Sequence, residues 1–180
     1  MIITFGGNVG AGKSTMAPLL AKELGYEEIY VGGIFRQMAK EQGLTIEEFY
    51  ALMSKNPKLE KSIDAQQLEL MQRKHNIVVQ GRIAYFFAKQ TKKPSINIFL
   101  AVDPRVGAER KIKEGLYPGK TLEEVMALNS TREANERSNY LTLYGITDHL
   151  NPAAFDIVCD TTGISPEKVL EVLLKEVKEK

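Results

Sequence analysis

The sequence predicts one α/β domain: a parallel sheet of five short strands, helices on both faces of the sheet, and two peripheral helical insertions. Three observations predict it. The strand candidates are short and nearly all apolar, and helical patterns separate them, as in a parallel sheet covered on both sides. The first strand runs directly into a glycine-rich loop and then a helix. Charge gathers in two stretches, about 32–74 and 119–145, that interrupt the strand–helix alternation. No linker, repeat or low-complexity segment divides the 180 residues, which suffice for one core.

The elements follow in order. Ile2-Ile3-Thr4-Phe5 reads as a buried strand, and the helix after the loop runs to about Leu24, with Gly25 as its stop. Pro18 lies beyond that helix's first turn, removes the hydrogen bond to Ser14, and marks a place for a bend. Glu28 to Val31 is the second strand, and Gly32-Gly33 opens a helix from Ile34 to Gln42. Thr45-Ile46-Glu47-Glu48 is a capping box that starts a helix ending near Ser54. Asn56-Pro57 caps a longer helix reaching about Lys74. Ile77-Val78-Val79 is the third strand, followed by Gly81-Arg82 and a short helix from Ile83 to Lys89. Ile96 to Val102 is the fourth strand, ended by Asp103-Pro104, where a helix to about Glu114 begins. A second capping box, Thr121-Leu122-Glu123-Glu124, starts a long charged helix, with a break allowed in it, that reaches Tyr144-Gly145. Phe155 to Cys159 is the fifth strand, and Ser165-Pro166 caps the last helix.

Composition narrows the function classes. Hydrophobic residues make up 43% and charged residues 26%, and the net charge is +1, with no long run of like charge. Neither a nucleic-acid nor a membrane partner is implied. The lone cysteine, Cys159, sits in an apolar run and is expected in the core, which fits a reducing cytoplasmic setting. The chain enters its first strand at once, without a signal-peptide pattern, and no apolar run reaches spanning length. His75 and His149 are expected at the surface, in loops without metal-ligand neighbours.

Gly7-Asn8-Val9-Gly10-Ala11-Gly12-Lys13-Ser14, with Thr15 after it, fits the P-loop pattern. Glycines let backbone N–H groups turn inward as a nest for phosphate oxygens, and the helix N-terminus adds its positive end. Lys13 supplies a cation for the β- and γ-phosphates, and the Ser14 hydroxyl is the candidate magnesium ligand. Phosphoryl transfer also needs cations around the moving group. Arg36, just after the second strand, and Arg82, just after the third, are positioned to face the carboxyl-end crevice, where their planar forks suit phosphate.

These residues come with an ordered set that resembles the archaeal-type short cytidylate kinases, nucleoside monophosphate kinases of the P-loop class. The set comprises the P-loop, Gly32-Gly33-Ile34-Phe35-Arg36 with Ala39-Lys40, Asn56-Pro57 through Ile63-Asp64, Gly81-Arg82-Ile83-Ala84, Arg132-Glu133, Glu136, Tyr140, Tyr144-Gly145-Ile146 and Asp160-Thr161. The resemblance runs over nearly the whole chain. It implies a three-layer fold with a core of 1–31, 75–118 and 146–180, a monophosphate-binding insertion at 32–74 and a closing lid at 119–145. It implies ATP as donor, Mg²⁺ as cofactor and CMP or dCMP as acceptor, so that the partners are small-molecule nucleotides. It also implies that Arg36 and Arg82 hold the acceptor phosphate, that Asp64 sits in the acceptor insertion, and that Lys13, Arg82 and Arg132 form the catalytic set. The oligomeric state is left open, with a monomer favoured.

Three positions depart from the family pattern. Gln80 stands where relatives carry a carboxylate near the metal shell, and Asp103 at the next strand end is the candidate to compensate. Asn139 replaces a lid arginine seven residues after Arg132; at ~100° per residue those two positions share a face, whereas Arg137 lies roughly 140° from Arg132. Val31-Gly32-Gly33 lacks the small polar residue that can touch the acceptor. Asp64 is open between a nucleoside contact and a solvated carboxylate, Arg137 is open between a lid role and a surface position near Glu133 and Glu136, and Tyr140 and Tyr144 are expected to pack the lid hinge. Other monophosphates, a small anionic metabolite, or a nucleotide-binding regulator remain the competing functions.

Overall fold

In the computed structural model, which describes residues 1–45, 48–49, 52–53 and 56–180, the P-loop strand lies at the middle of the sheet. This strand, β1 (Ile2–Gly7), is flanked by β3 (Ile77–Gln80) and β4 (Ser95–Ala101), with β2 (Glu27–Tyr30) and β5 (Ile157–Asp160) at the edges. Every pairing is parallel, so all five carboxyl ends open on one rim. Phe5 registers with both Gln80 and Ile98, which sets the loops after β1 and β3 side by side. The Gly81 N–H donates to the Phe5 carbonyl at 3.3 Å and locks that neighbourhood.

Seven α-helices are assigned among the described residues: α1 (Lys13–Leu24), α2 (Val31–Glu41), α3 (Pro57–Arg73), α4 (Ala84–Gln90), α5 (Pro104–Lys113), α6 (Leu122–Tyr144) and α7 (Pro166–Lys178). α1 runs unbroken through Pro18 and stops at Gly25 in the left-handed conformation. α6 is continuous for 23 residues, and its capping box at Thr121 and Glu124 is fully made. The Thr45–Glu48 box is made as well, but most of the helix expected after it lies outside the described residues.

The core divides in three. Ile3, Phe5, Leu20, Val78, Ile98, Leu100 and Leu173 pack between the sheet and the α1/α7 layer. On the opposite face, Ile2, Met71, Ile77, Val79, Ile83 and Phe87 join with α4. A separate small cluster of Ala39, Phe49, Met53 and Ile63 belongs to the first insertion. Cys159 is buried as expected. The expectation of strands covered on both faces holds for β1 and β3 and fails for β5, whose residues alternate between buried and exposed because it forms the sheet edge. Thr4 and Asn97 are polar yet buried inside the sheet; they stay satisfied because Thr4 donates to Asn97 at 2.8 Å and Asn97 donates to Asp156.

β2 ends one residue earlier than its pattern predicts, and α2 starts at Val31. The two glycines explain why the chain can turn there. A Cβ at Gly32 or Gly33 would meet the Tyr30 ring at 2.8 or 3.0 Å, so the missing side chains make room for that ring. Among the described residues, no helix is long and apolar enough to cross a membrane.

Candidate active site

The loop after β1 is held from behind by backbone and a half-buried cation. Gly7 and Gly10 have φ of 125° and 79°, and a Cβ on either would run into a backbone oxygen, that of Leu100 at 2.0 Å or Gly107 at 2.3 Å. Glycine is therefore required twice over, for conformation and for space. The facing residue on α5 is itself a glycine, Gly107, whose own Cβ would sit 2.5 Å from the Val9 carbonyl oxygen. Arg110, one turn further along α5, donates to the carbonyl oxygen of Gly10 at 3.2 Å and to that of Thr161 at 2.6 Å. The Thr161 hydroxyl in turn donates to the Ala11 carbonyl. Gly107 and Arg110 are functional positions with little signal in the sequence beyond their spacing, one helical turn apart after the Asp103 cap.

Lys13 folds over this loop and donates to the carbonyl oxygens of Gly7 and Asn8 at 2.7 and 2.6 Å. Desolvation, together with the positive charges of Arg82, Lys111 and Arg132, holds its ammonium well below the usual lysine range, with Glu136 opposing them. The Ser14 and Thr15 side chains stand exposed at the start of α1. The Val9 N–H donates to the Glu133 carboxylate at 3.4 Å, so an acidic oxygen from α6 rests on the loop.

Facing the loop is a carboxylate that collects cations. Glu136 Oε1 lies 3.2 Å from Arg82 Nε and 2.9 Å from Arg132 Nε. Burial alone would push the Glu136 carboxyl up; Arg82, with His149 and Arg132, outweighs it and brings it down to about 2. Three residues expected around the phosphates, Lys13, Arg82 and Arg132, thus share one electrostatic neighbourhood. Arg36 is not part of it. Its guanidinium lies over the Tyr30 ring, 5.3 Å from the centroid, and donates to the Tyr30 hydroxyl. Glycines 32 and 33, by admitting that ring, set where Arg36 rests.

His149 is the clearest correction. Expected at the surface, it is fully buried, with its ring edge-on to Tyr140 at 5.1 Å and its Nε2 3.4 Å from Glu136 Oε2. Nothing in its local sequence signals this, because its surroundings come from α6. His75 is exposed as expected. Arg137 is half-exposed and pairs with Asp148 at 3.2 Å, not with Glu133 or Glu136, in keeping with its rotation away from Arg132 on the helix.

Asp64 is no surface carboxylate: it is 6% exposed and accepts a hydrogen bond from the Tyr144 hydroxyl. This joins α3 in the first insertion to the last turn of α6. Tyr144 also packs against Phe86 and Phe87, with centroids 5.5 and 5.6 Å apart, as a residue at a helix base should. Burial raises the Asp64 carboxyl to about 6 against the opposing Tyr144 bond. A carboxyl raised on folding stabilises fully below its unfolded value and loses that contribution as pH rises through its folded value. Asp64→Asn is therefore expected to flatten the stability profile between about pH 4 and 7, removing a loss on the order of 3 kcal/mol. Denaturant unfolding at pH 4.5 and 7.5 checks it; an unchanged difference between the two would contradict the assignment.

Metal fit can be judged from the donors present. Asp103, the candidate to compensate for Gln80, caps α5 instead, with its Oδ1 accepting from the N–H groups of Arg105 and Val106. No cluster of three His, Cys, Asp or Glu able to hold an ion occurs among the described residues. Gln80 is buried at the end of β3, and its Oε1 has no hydrogen-bond partner. An exposed serine hydroxyl at the start of α1 and an unsatisfied amide oxygen at the end of β3 are donors of the kind that suit a hard cation arriving with its own phosphate and water ligands.

Comparison with known proteins gives the family and the fold. A family model described as the cytidylate kinase-like family matches residues 2–163. A cytidylate kinase of Pyrococcus abyssi is 36% identical over 173 residues, covering 96% of this chain and 91% of that protein. A cytidylate kinase of Archaeoglobus fulgidus is 33% identical over 180 residues, covering 100% and 96%. Among solved structures, a shikimate kinase from Bacteroides thetaiotaomicron superposes with a TM-score of 0.65 at 15% identity, covering 99% of this chain and 97% of the other. A gluconokinase from Sinorhizobium meliloti gives 0.58 at 14%, covering 98% and 91%. At those identities the structural matches speak for the fold alone.

Proposed function

The chain belongs to the cytidylate kinase-like family, and from that premise we propose that it transfers the γ-phosphoryl group of ATP to CMP or dCMP. The observation that carries the proposal is the gathering of Lys13, Arg82 and Arg132 beside a glycine-built loop at the carboxyl rim of the sheet. Such an arrangement suits a reaction in which positioning and charge stabilisation supply most of the rate.

Residues 7–15 cradle the donor's phosphates. Arg110 and Thr161 keep the loop carbonyls turned away from the nest. Lys13 sits over the same loop and shifts from the Gly7 and Asn8 carbonyls toward the β- and γ-phosphate oxygens. The Ser14 hydroxyl would hold Mg²⁺, with the Gln80 amide oxygen as a further acceptor, and the ion would supply positive charge on the phosphate chain. Residues 32–74 receive the acceptor, with Arg36 and Arg82 on its phosphate and Asp64 anchoring the insertion's α3. Arg82 is able to leave Glu136 for a phosphate because both are anions of suitable geometry for its fork. Residues 119–145 act as the lid, bringing Arg132 over the transferring group and excluding water that would otherwise accept it. The acceptor phosphate oxygen forms the new bond to the γ-phosphorus, the bond to the β–γ bridging oxygen breaks, and its electron pair leaves with ADP. An ionised acceptor oxygen needs no general base.

A coupled assay of ADP release across CMP, dCMP, UMP, AMP and shikimate tests the proposal. The expected result is highest kcat/KM on CMP or dCMP. A preference for any of the other three would replace the acceptor assignment, and ATP binding without turnover on any of them would turn the chain into a binding module.

A further inference from the structure

Glu136 divides its oxygens. Oε1 takes both guanidinium groups, while Oε2 is buried without a hydrogen bond and faces His149 Nε2 at 3.4 Å, inside ion-pair reach. Both His149 ring nitrogens are likewise buried without hydrogen-bond partners. Buried polar atoms left unmatched are costly, and here two of them point at each other. While Arg82 and Arg132 rest on Glu136, the two guanidiniums supply the positive charge that compensates it, and His149 adds only a ring nitrogen beside Oε2. Phosphoryl chemistry needs those same two guanidiniums on phosphate oxygens, and once they turn, a nearly buried carboxylate is left with less compensation beside an imidazole.

We propose that His149 is a positioning residue for the kinase reaction: it takes up a proton when substrates draw Arg82 and Arg132 off Glu136, and then holds that carboxylate in place as its replacement cation. The inference rests on the function proposed above. Imidazole is the side chain able to make this change near neutral pH. The groups around it are consistent with the role. α6 presents Glu136, Arg132 and the Tyr140 ring. The loop after β3 contributes Arg82. Asp148, next in sequence, is tied to Arg137, and Tyr85 on α4 lies near enough to Asp148 to feel its charge. Glu136 is the carboxylate His149 directly meets. Keeping Glu136 fixed prevents it from recapturing the arginines during the reaction.

The test is calorimetric titration of the ADP- and Mg²⁺-loaded enzyme with CMP, in buffers of different ionisation enthalpy near pH 7, for wild type, His149→Gln and His149→Phe. The acceptor phosphate and Asp64 also titrate in this range, so the wild-type minus His149→Gln difference isolates the imidazole. The expected difference is an uptake of about 0.5 to 1 proton on CMP binding. In steady-state assays the KM for CMP is expected to rise about tenfold in His149→Phe, which fills the site without a donor, with partial rescue in His149→Gln. Equal proton uptake in wild type and His149→Gln, or an unchanged KM in His149→Phe, overturns the inference alone. Failure of the wild type to bind CMP overturns the proposed function and this inference with it.

Discussion

Lys13→Ala is expected to lower kcat by about 10³-fold, roughly 4 kcal/mol of transition-state stabilisation, without unfolding the protein. The lysine bridges the Gly7 and Asn8 carbonyls and lies among Arg82, Lys111 and Arg132, so its charge is concentrated where phosphate oxygens would accumulate negative charge. Stability is expected to move the other way. An ammonium whose protonated form is disfavoured by folding costs stability at neutral pH, so removing it leaves the thermal midpoint unchanged or raised. Coupled ADP release and a thermal melt on the same preparation separate the two effects. Full activity in the variant would remove the donor site from this loop.

Arg82→Ala is expected to reduce kcat/KM for the acceptor by about 10²- to 10³-fold, with little restored by Arg82→Lys, because a point charge does not reproduce a bidentate fork. The substitution has a second consequence. Glu136, held at about 2, loses its strongest cationic neighbour. A carboxyl lowered on folding contributes stability above its unfolded value and loses it as pH falls toward its folded value. Arg82→Ala should therefore lower stability near neutrality and soften the further loss between about pH 4.5 and 2. Combining it with Glu136→Gln tells the roles apart. If Arg82 only neutralised Glu136, the double variant would recover turnover; if Arg82 holds phosphate, turnover stays low.

The sequence made the glycine-rich loop legible because its information is contiguous. Strand, glycines, lysine and helix follow one another between Ile2 and Leu24, and the parallel sheet then sets Arg82 beside them through the Phe5–Gln80 register. The surroundings of Glu136 were harder to read. His149 meets it only because the chain turns back at Gly145 after α6, and no local pattern reports that return. Val9 and Glu133 are 124 positions apart, and Asp64 and Tyr144 are 80 apart. Such pairs depend on how α3 and α6 lie across the rim, which side-chain periodicity does not encode. Tyr30 illustrates the same limit at short range: the two glycines after it are visible, but the ring they admit, and the arginine resting on that ring, are facts of packing.

The small cluster of Ala39, Phe49, Met53 and Ile63 has a consequence for how the molecule comes apart. Its four buried residues are separate from the two clusters on the sheet and touch one of them through Phe35, so the first insertion has burial of its own. The amide protons of α2 are expected to belong to a cooperative unit able to open below the global unfolding free energy, while β1, β3 and the loop that follows β1 stay shut. Solvent exchange would then proceed in two classes, an early one at α2 and a late one at the sheet. The part proposed to admit the acceptor would breathe while the part proposed to grip the donor stays closed.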